Sequence, residues 1–236
     1  MNSSAVKPLS GSTFSKACQH ALSTINRKQV VALSGLGLAL FVMVHMTGNM
    51  LVFLGPQAYN EYSHALTSNH LIFAAELGLI AMFVGHAFYA TYLTWKNYRA
   101  RDTRYAMNAS GAKATPWLHR TLFAQGLILL VFVILHLITF KYGPDYTANY
   151  GQGEIRDLFK LMVEVFHQPG YVIWYLISLI ILGLHLSHGL SSSIQTFGIH
   201  HPRYQKAIHC FGIVYALVVA LGFISQPIYI YWFYKG

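Results

Sequence analysis

Charge is scarce in this sequence. Only 10% of its 236 residues are Asp, Glu, Lys or Arg, while 55% are hydrophobic; a soluble domain carries about 25% charged residues. That shortage argues against a soluble domain and for a membrane protein. Acidic residues are the scarcest, seven against 16 Lys and Arg. Cysteine is nearly missing too. Cys18 and Cys210 stand far apart and offer no disulfide framework, no C-x-x-C and no iron–sulfur ligand set. No Gly-rich phosphate loop sits between a strand and a helix, and no nucleophile–base pattern is present, so the chain is not expected to carry a flavin or nucleotide itself. Residues 1–29 form a polar arm without an apolar stretch of signal-peptide type.

Long apolar runs are what the chain does have. A span needs about 20 largely apolar residues, and five stretches qualify: Val30–Leu54, Leu71–Trp95, Thr121–Phe140, Tyr171–Phe197 and Ala207–Phe233. None alternates apolar and polar as a barrel strand would. The expected fold is therefore all-α, an integral membrane bundle of five transmembrane helices occupying residues 30–236. "GPQ" closes the first run, "QPG" precedes the fourth, and "HHPR" separates the fourth from the fifth. Basic residues set the orientation. Twelve lie on the side of the N-terminal arm and the second and fourth connections, against Lys141, Arg156, Lys160 and Lys235 on the other. The N-terminus is expected inside, on the cytoplasmic face of a bacterial-type inner membrane, and the C-terminus outside. Trp95, Trp117, Trp174 and Trp232 fit aromatic belts. Topology accounts for the basic charge, so nucleic acid is an unneeded partner.

Thirteen histidines are many for this length. His45, His86, His136, His185 and His188 lie deep in the runs, where ionisable residues are costly and face a partner in the bundle interior. One such histidine is as easily a helix–helix hydrogen bond as a ligand; one or more in each of the first four runs is harder to dismiss. His45 follows Lys28 by 17 residues and His136 follows Arg120 by 16, both counted from the inner side. From the outer side, His86 follows Asn69 by 17 and His185 follows Pro169 by 16. Each lies about 25 Å from its boundary at 1.5 Å per residue. His45 and His136 thus belong to the outer half, His86 and His185 to the inner. Two pairs at two levels suit two bis-histidine haems, which carry electrons and leave no open iron position. Zinc is the competing metal, but it wants one tetrahedral cluster. A histidine proton relay in a haem-free transporter or channel is the other competitor. Gly48 and Gly189 lie near these histidines, either to let a flat macrocycle approach or to let helices pack closely.

His185 and His188 share a face one turn apart, and depth does not choose between them. The segments "HMTGNMLVFLG", "GHAFYATYL" and "HLSHGLSSSIQTFG", with four intramembrane histidines in this order, resemble the cytochrome b membrane anchors of succinate dehydrogenases and fumarate reductases. The single-chain, five-helix, two-haem form is the nearest type, over about Val30 to Phe233. The most specific piece is His, three residues, Gly, eight residues, Gly, here His185, Gly189 and Gly198. In that family the histidine four before the glycine ligates haem. The resemblance therefore implies His185 as the ligand, with His188 a neighbour bonded to a propionate or quinone or only packed. It likewise implies His45, His86 and His136 as ligands of two haems b, the inner held by His86 and His185, the outer by His45 and His136. Flavoprotein and iron–sulfur subunits on the cytoplasmic side, and a membrane quinone (menaquinone or ubiquinone), are the implied partners. A higher-order oligomer is compatible with it. The dicarboxylate chemistry would belong to the partners, and the chain alone would not oxidise succinate. The anchor of another respiratory dehydrogenase, such as a formate dehydrogenase or hydrogenase, is the nearest alternative.

Propionate donors available near the interfaces are Lys28, Lys96, His119, Arg120 and Lys141, each equally an interface anchor. Quinone candidates are Glu61 and His64, in "AYNEYSHAL", and Glu76, the acidic residue inside a span. Glu76 suits a proton relay or an interhelical bond. The Tyr59–His64 stretch is expected to be a solvated loop.

Overall fold

A computed structural model describes residues 24–100, 117–151, 153–199 and 201–235. Helix α1 (Thr24–Asn49) runs on as a 3-10 turn, Met50–Leu54, and is followed by α2 (Pro56–Thr67) and α3 (Leu71–Arg99). Helix α4 (Trp117–His136) ends in a π turn, Leu137–Lys141. A small hairpin follows, β1 (Thr147–Asn149) with β2 (Glu154–Arg156), then α5 (Leu158–Phe166), α6 (Pro169–Thr196) and α7 (Pro202–Trp232). Five segments are long and apolar enough to cross a membrane: Ile25–Leu54, Leu71–Arg99, Thr121–Lys141, Pro169–Thr196 and Pro202–Trp232. The expected all-α multi-pass bundle is what forms. Helices keep every backbone N–H and C=O paired inside one segment, which lipid demands.

The helices overrun the apolar stretches at several ends. Arg27 stacks on Tyr92 and Arg99 on Trp95, each 4.5 Å from the ring centroid. Such interface cations keep their charge in water while the stem lies along the bundle, so the polar turn stays helical. The breaks fall where the sequence puts them. Gly55 has φ 96°, a region glycine enters without Cβ strain. Pro56, Pro169 and Pro202 each occupy the first turn of a helix, where the missing N–H costs nothing.

Helix α6 is central, packed on α7, α1 and α4, while α3 lies chiefly on α1. The α6–α7 contact is close because it is built on small residues. A Cβ on Gly212 would stand 2.5 Å from Ser191 Oγ and 2.8 Å from the Ser187 carbonyl, and one on Gly183 would stand 3.0 Å from Ala220 Cβ.

The end of the bundle that holds the start of α1 is called near, the opposite end far. The far end is capped by α2, the hairpin and α5. Val52, Tyr59, Phe159, Met162, Phe166 and Ile230 are among its buried apolar residues. The segment expected to be a solvated loop is helical; Glu61 and His64 are exposed as expected, but Tyr59 is 7% and Asn60 0% exposed. Asn60 Nδ2 donates to Asp157 Oδ1 at 2.7 Å and to Tyr150 Oη at 3.0 Å, and its Oδ1 accepts from Phe159 N at 2.9 Å. Asp157 in turn caps α5 by accepting from Lys160 N at 3.0 Å. Burial, with Tyr62 as a second cause, raises the Tyr59 phenol above its usual value.

Candidate functional site: two histidine pairs

Four helices deliver the intramembrane histidines, and they meet in two pairs. His45 of α1 faces His136 of α4, ring centroids 5.9 Å apart and planes at 82°. His86 of α3 faces His185 of α6 at 6.4 Å and 75°. Two helices measure the levels independently. On α1, Gly35 stands against His86, ten residues before His45; on α6, Tyr175 stands against His136, ten residues before His185. Each interval is about 15 Å at 1.5 Å per residue.

The rings are held from behind. His86 Nδ1 lies 3.1 Å from the Val31 carbonyl and 3.3 Å from Ser34 Oγ. His136 Nδ1 lies 3.1 Å from Tyr175 Oη. The Asn49 amide is 3.4 Å from His45 Nδ1, donates to the His45 carbonyl at 2.8 Å, and accepts from Tyr59 Oη at 2.9 Å. His185 Nδ1 is buried without a partner. Aromatic rings wall the far pair: Phe41 and Phe223 against His45, Phe132 and Phe140 against His136, all within 5.9 Å between centroids.

This donor set suits a metal held between two imidazoles. About 2 Å from metal to each ring nitrogen sets opposing ring centroids roughly 6 Å apart, as both pairs are. A ligating imidazole engages its second nitrogen with an oxygen acceptor, and Val31 and Tyr175 offer one. Among the described residues no three His, Cys, Asp or Glu side chains gather as a metal cluster, so the tetrahedral arrangement zinc prefers has no counterpart there.

The other sequence candidates disperse. His188 lies one turn beyond His185 on α6. Gly48 backs onto α2, where a Cβ would fall 2.6 Å from Tyr62 Oη; before Gly189 no atom lies within 4 Å of a Cβ. Lys28 lines a cavity of about 290 Å³ at the near end with Ile25, Gln29, Ser192, Gln195 and Thr196. Lys96 sits in the last turn of α3. The side chains of His119 and Arg120 fall outside the described residues. Glu76 and Lys141, named above for different roles, form an ion pair between α3 and the end of α4, each side chain about 37–38% exposed. Glu61 and His64 come together, lining a far-end cavity of about 250 Å³ with Tyr150, Gly153 and Ile155. Asn49, Tyr175 and Gln125 were not singled out from sequence. Asn49 was within reach, four residues after His45 and so on the same face; Tyr175 carried no such signal.

No family model and no solved structure matches the chain. A curated protein similar to it is the succinate dehydrogenase cytochrome b558 subunit of Bacillus subtilis (strain 168), 26% identical over 171 residues, which cover 71% of this chain and 77% of that protein. The chain is a relative of a succinate dehydrogenase cytochrome b subunit. That relative's name belongs to the family the sequence segments resembled.

Proposed function

We propose that this chain is the haem-bearing membrane subunit of a succinate:quinone oxidoreductase, carrying electrons between an iron–sulfur subunit and membrane quinone. The observation that carries the reading is the meeting of four histidines from four helices in two pairs, 5.9 and 6.4 Å between rings, at two levels. His45 and His136 would hold one haem b, His86 and His185 the other. Haem held by two imidazoles would supply one-electron transfer without an open position for oxygen.

The chain's own residues do the rest. Val31 and Tyr175 fix the tilt of His86 and His136, and the aromatic wall excludes water from the far pair. The cationic near end, with Arg27, Lys28, Lys96 and Arg99, would face the cytoplasm under the positive-inside rule and there receive the flavoprotein and iron–sulfur subunits. Lys28 and its polar neighbours suit the carboxylates of the near haem. For quinone, the far-end cavity supplies a carboxyl, an imidazole and a phenol from Glu61, His64 and Tyr150. Tyr59 donates to Asn49, and Asn49 donates to the His45 carbonyl, connecting that helix to the residue.

Haem content and the reduced-minus-oxidised spectrum of the purified complex test the reading, with His185→Ala and His188→Ala variants. Two low-spin b haems in the parent, one of them lost only in His185→Ala, is the expected result. Loss in His188→Ala instead would move the ligand by one turn. A folded parent without haem would end the cytochrome reading and favour a histidine-lined transporter.

A further inference from the structure

Following Nδ1 of each paired histidine leaves one conspicuous gap. Nδ1 of His86 and of His136 each meets an oxygen, and that of His45 lies beside the Asn49 carboxamide. Nδ1 of His185 is buried and meets nothing. If Nε2 of His185 ligates iron, Nδ1 carries a proton and becomes a donor in need of an acceptor.

A complementary atom is buried on α4. Gln125 is 5% exposed, and its Oε1 has no hydrogen-bond partner. Its Nε2 donates to Thr121 Oγ1 at 2.8 Å, which settles the orientation of the carboxamide and leaves the oxygen for another donor. The same turn of α4 lies against the His185 ring: a Cβ on Gly126 would stand 3.9 Å from His185 Cε1, the carbon between Nδ1 and Nε2. An unpaired donor on α6 and an unpaired acceptor on α4, one residue from the glycine that meets the ring, are thus both buried where α4 packs on α6, and buried unpaired polar groups are strongly disfavoured.

We propose that Gln125 Oε1 accepts the Nδ1 proton of His185 through one bridging water, making Gln125 the positioning residue of the near histidine pair. A water with two such partners suits a buried polar site. The hydrogen bond would fix the ring's rotation about its iron bond and raise its basicity, as outer partners of metal-bound imidazoles do. The inference rests on the di-haem reading above.

Redox titration of both haems in the intact complex, with low-spin electron paramagnetic resonance, tests it on Gln125→Glu and Gln125→Leu. The signal missing from His185→Ala identifies the near haem. The expected result is a lower midpoint potential for that haem in Gln125→Glu, whose anionic acceptor makes the imidazole a stronger electron donor, and a higher one in Gln125→Leu. The far haem should keep its potential and g-values in both. Near-haem potential and g-values unchanged in both variants would overturn the proposal, as would equal shifts of the two haems. Should Gln125→Leu fail to assemble, the near-isosteric Gln125→Glu decides alone. A parent with two haems indifferent to Gln125 sinks this inference only; a parent without haem sinks the di-haem reading with it.

Discussion

The Tyr175 hydroxyl stands 3.1 Å from Nδ1 of His136, and both side chains sit among Phe132, Phe140 and, against the tyrosine, Phe166. A phenol in that position can accept the imidazole proton without bringing charge into the bundle. It also ties α6 to α4 at the level of the far pair. Removing it should therefore leave the fold in place and alter one histidine.

Tyr175→Phe keeps the ring and deletes the acceptor. The midpoint potential of the far haem is expected to rise, because a less basic imidazole favours the oxidised iron less. Retention of that haem should weaken roughly tenfold, the lower range for loss of an outer partner of a metal ligand. Spectra of the near haem should not change. Redox titration checks the first expectation, and haem loss to apomyoglobin checks the second. Unaltered far-haem potential would mean that the phenol is packing only.

Glycines 189 and 212 make opposite predictions although both lie on the long helices. Gly212→Leu would drive a side chain into Ser187 and Ser191 of α6, and overpacking of this kind costs about 1–3 kcal/mol. Loss of thermal stability in detergent, with haem falling in proportion, is the expected result. A Cβ at Gly189 faces open space, with no neighbouring atom within 4 Å, so the bundle should keep its stability in Gly189→Leu. If a macrocycle lies over that face, haem content alone falls. Full haem in a stable Gly189→Leu variant would show that lipid, not cofactor, covers the glycine.

Asn60→Ala should loosen the far-end cap. The substitution strips Asp157 and Tyr150 of a donor and leaves the buried Phe159 N–H without its acceptor. An unsatisfied buried group costs about 1–3 kcal/mol, here applied to a cap of only two short helices and a hairpin. Faster proteolysis within residues 143–157 is expected, with the spanning helices intact. Equal cleavage rates in parent and variant would show that the apolar cluster around Val52 and Ile230 holds the cap unaided.

The spans and both histidine pairs were legible because each depends on one-dimensional quantities. Lipid thickness sets how many apolar residues a crossing needs, and constant helical rise converts the spacing of His45, His86, His136 and His185 into depth. Burial of Tyr59 and Asn60 was not legible. It depends on residues about ninety positions later, Tyr150 and Asp157, folding back over α2, and a polar stretch after a helix reads as solvated until that partner is known. Gly48 had two readings, a cofactor cradle and close helix packing, and its surroundings favour the second. Its spacing from His45 fits a cofactor cradle, yet the space before it belongs to Tyr62, a neighbour supplied by the α2 fold. Gln125 carried a signal that was missed: a lone carboxamide in an apolar run requires an explanation for its polar atoms.

The far-end cavity yields the prediction with most bearing on function. Glu61 and His64 lie on one face of α2, at i and i+3, with Tyr150 opposite. Quinone reduction needs two protons as well as two electrons, and a carboxyl beside an imidazole can deliver them to the two carbonyl oxygens. Glu61→Gln keeps the size and removes the titrating group, and His64→Ala opens the cavity. Proton transfer by a positioned side chain contributes about 10²–10⁴-fold, so quinone turnover in Glu61→Gln should fall by about a hundredfold. Haem content should remain that of the parent, and so should succinate oxidation with an artificial acceptor that takes electrons upstream of the membrane subunit. That pattern would place the defect after the haems, at the quinone. Undiminished quinone turnover in both variants would move the quinone elsewhere, and a matching loss with the artificial acceptor would point to damaged assembly instead.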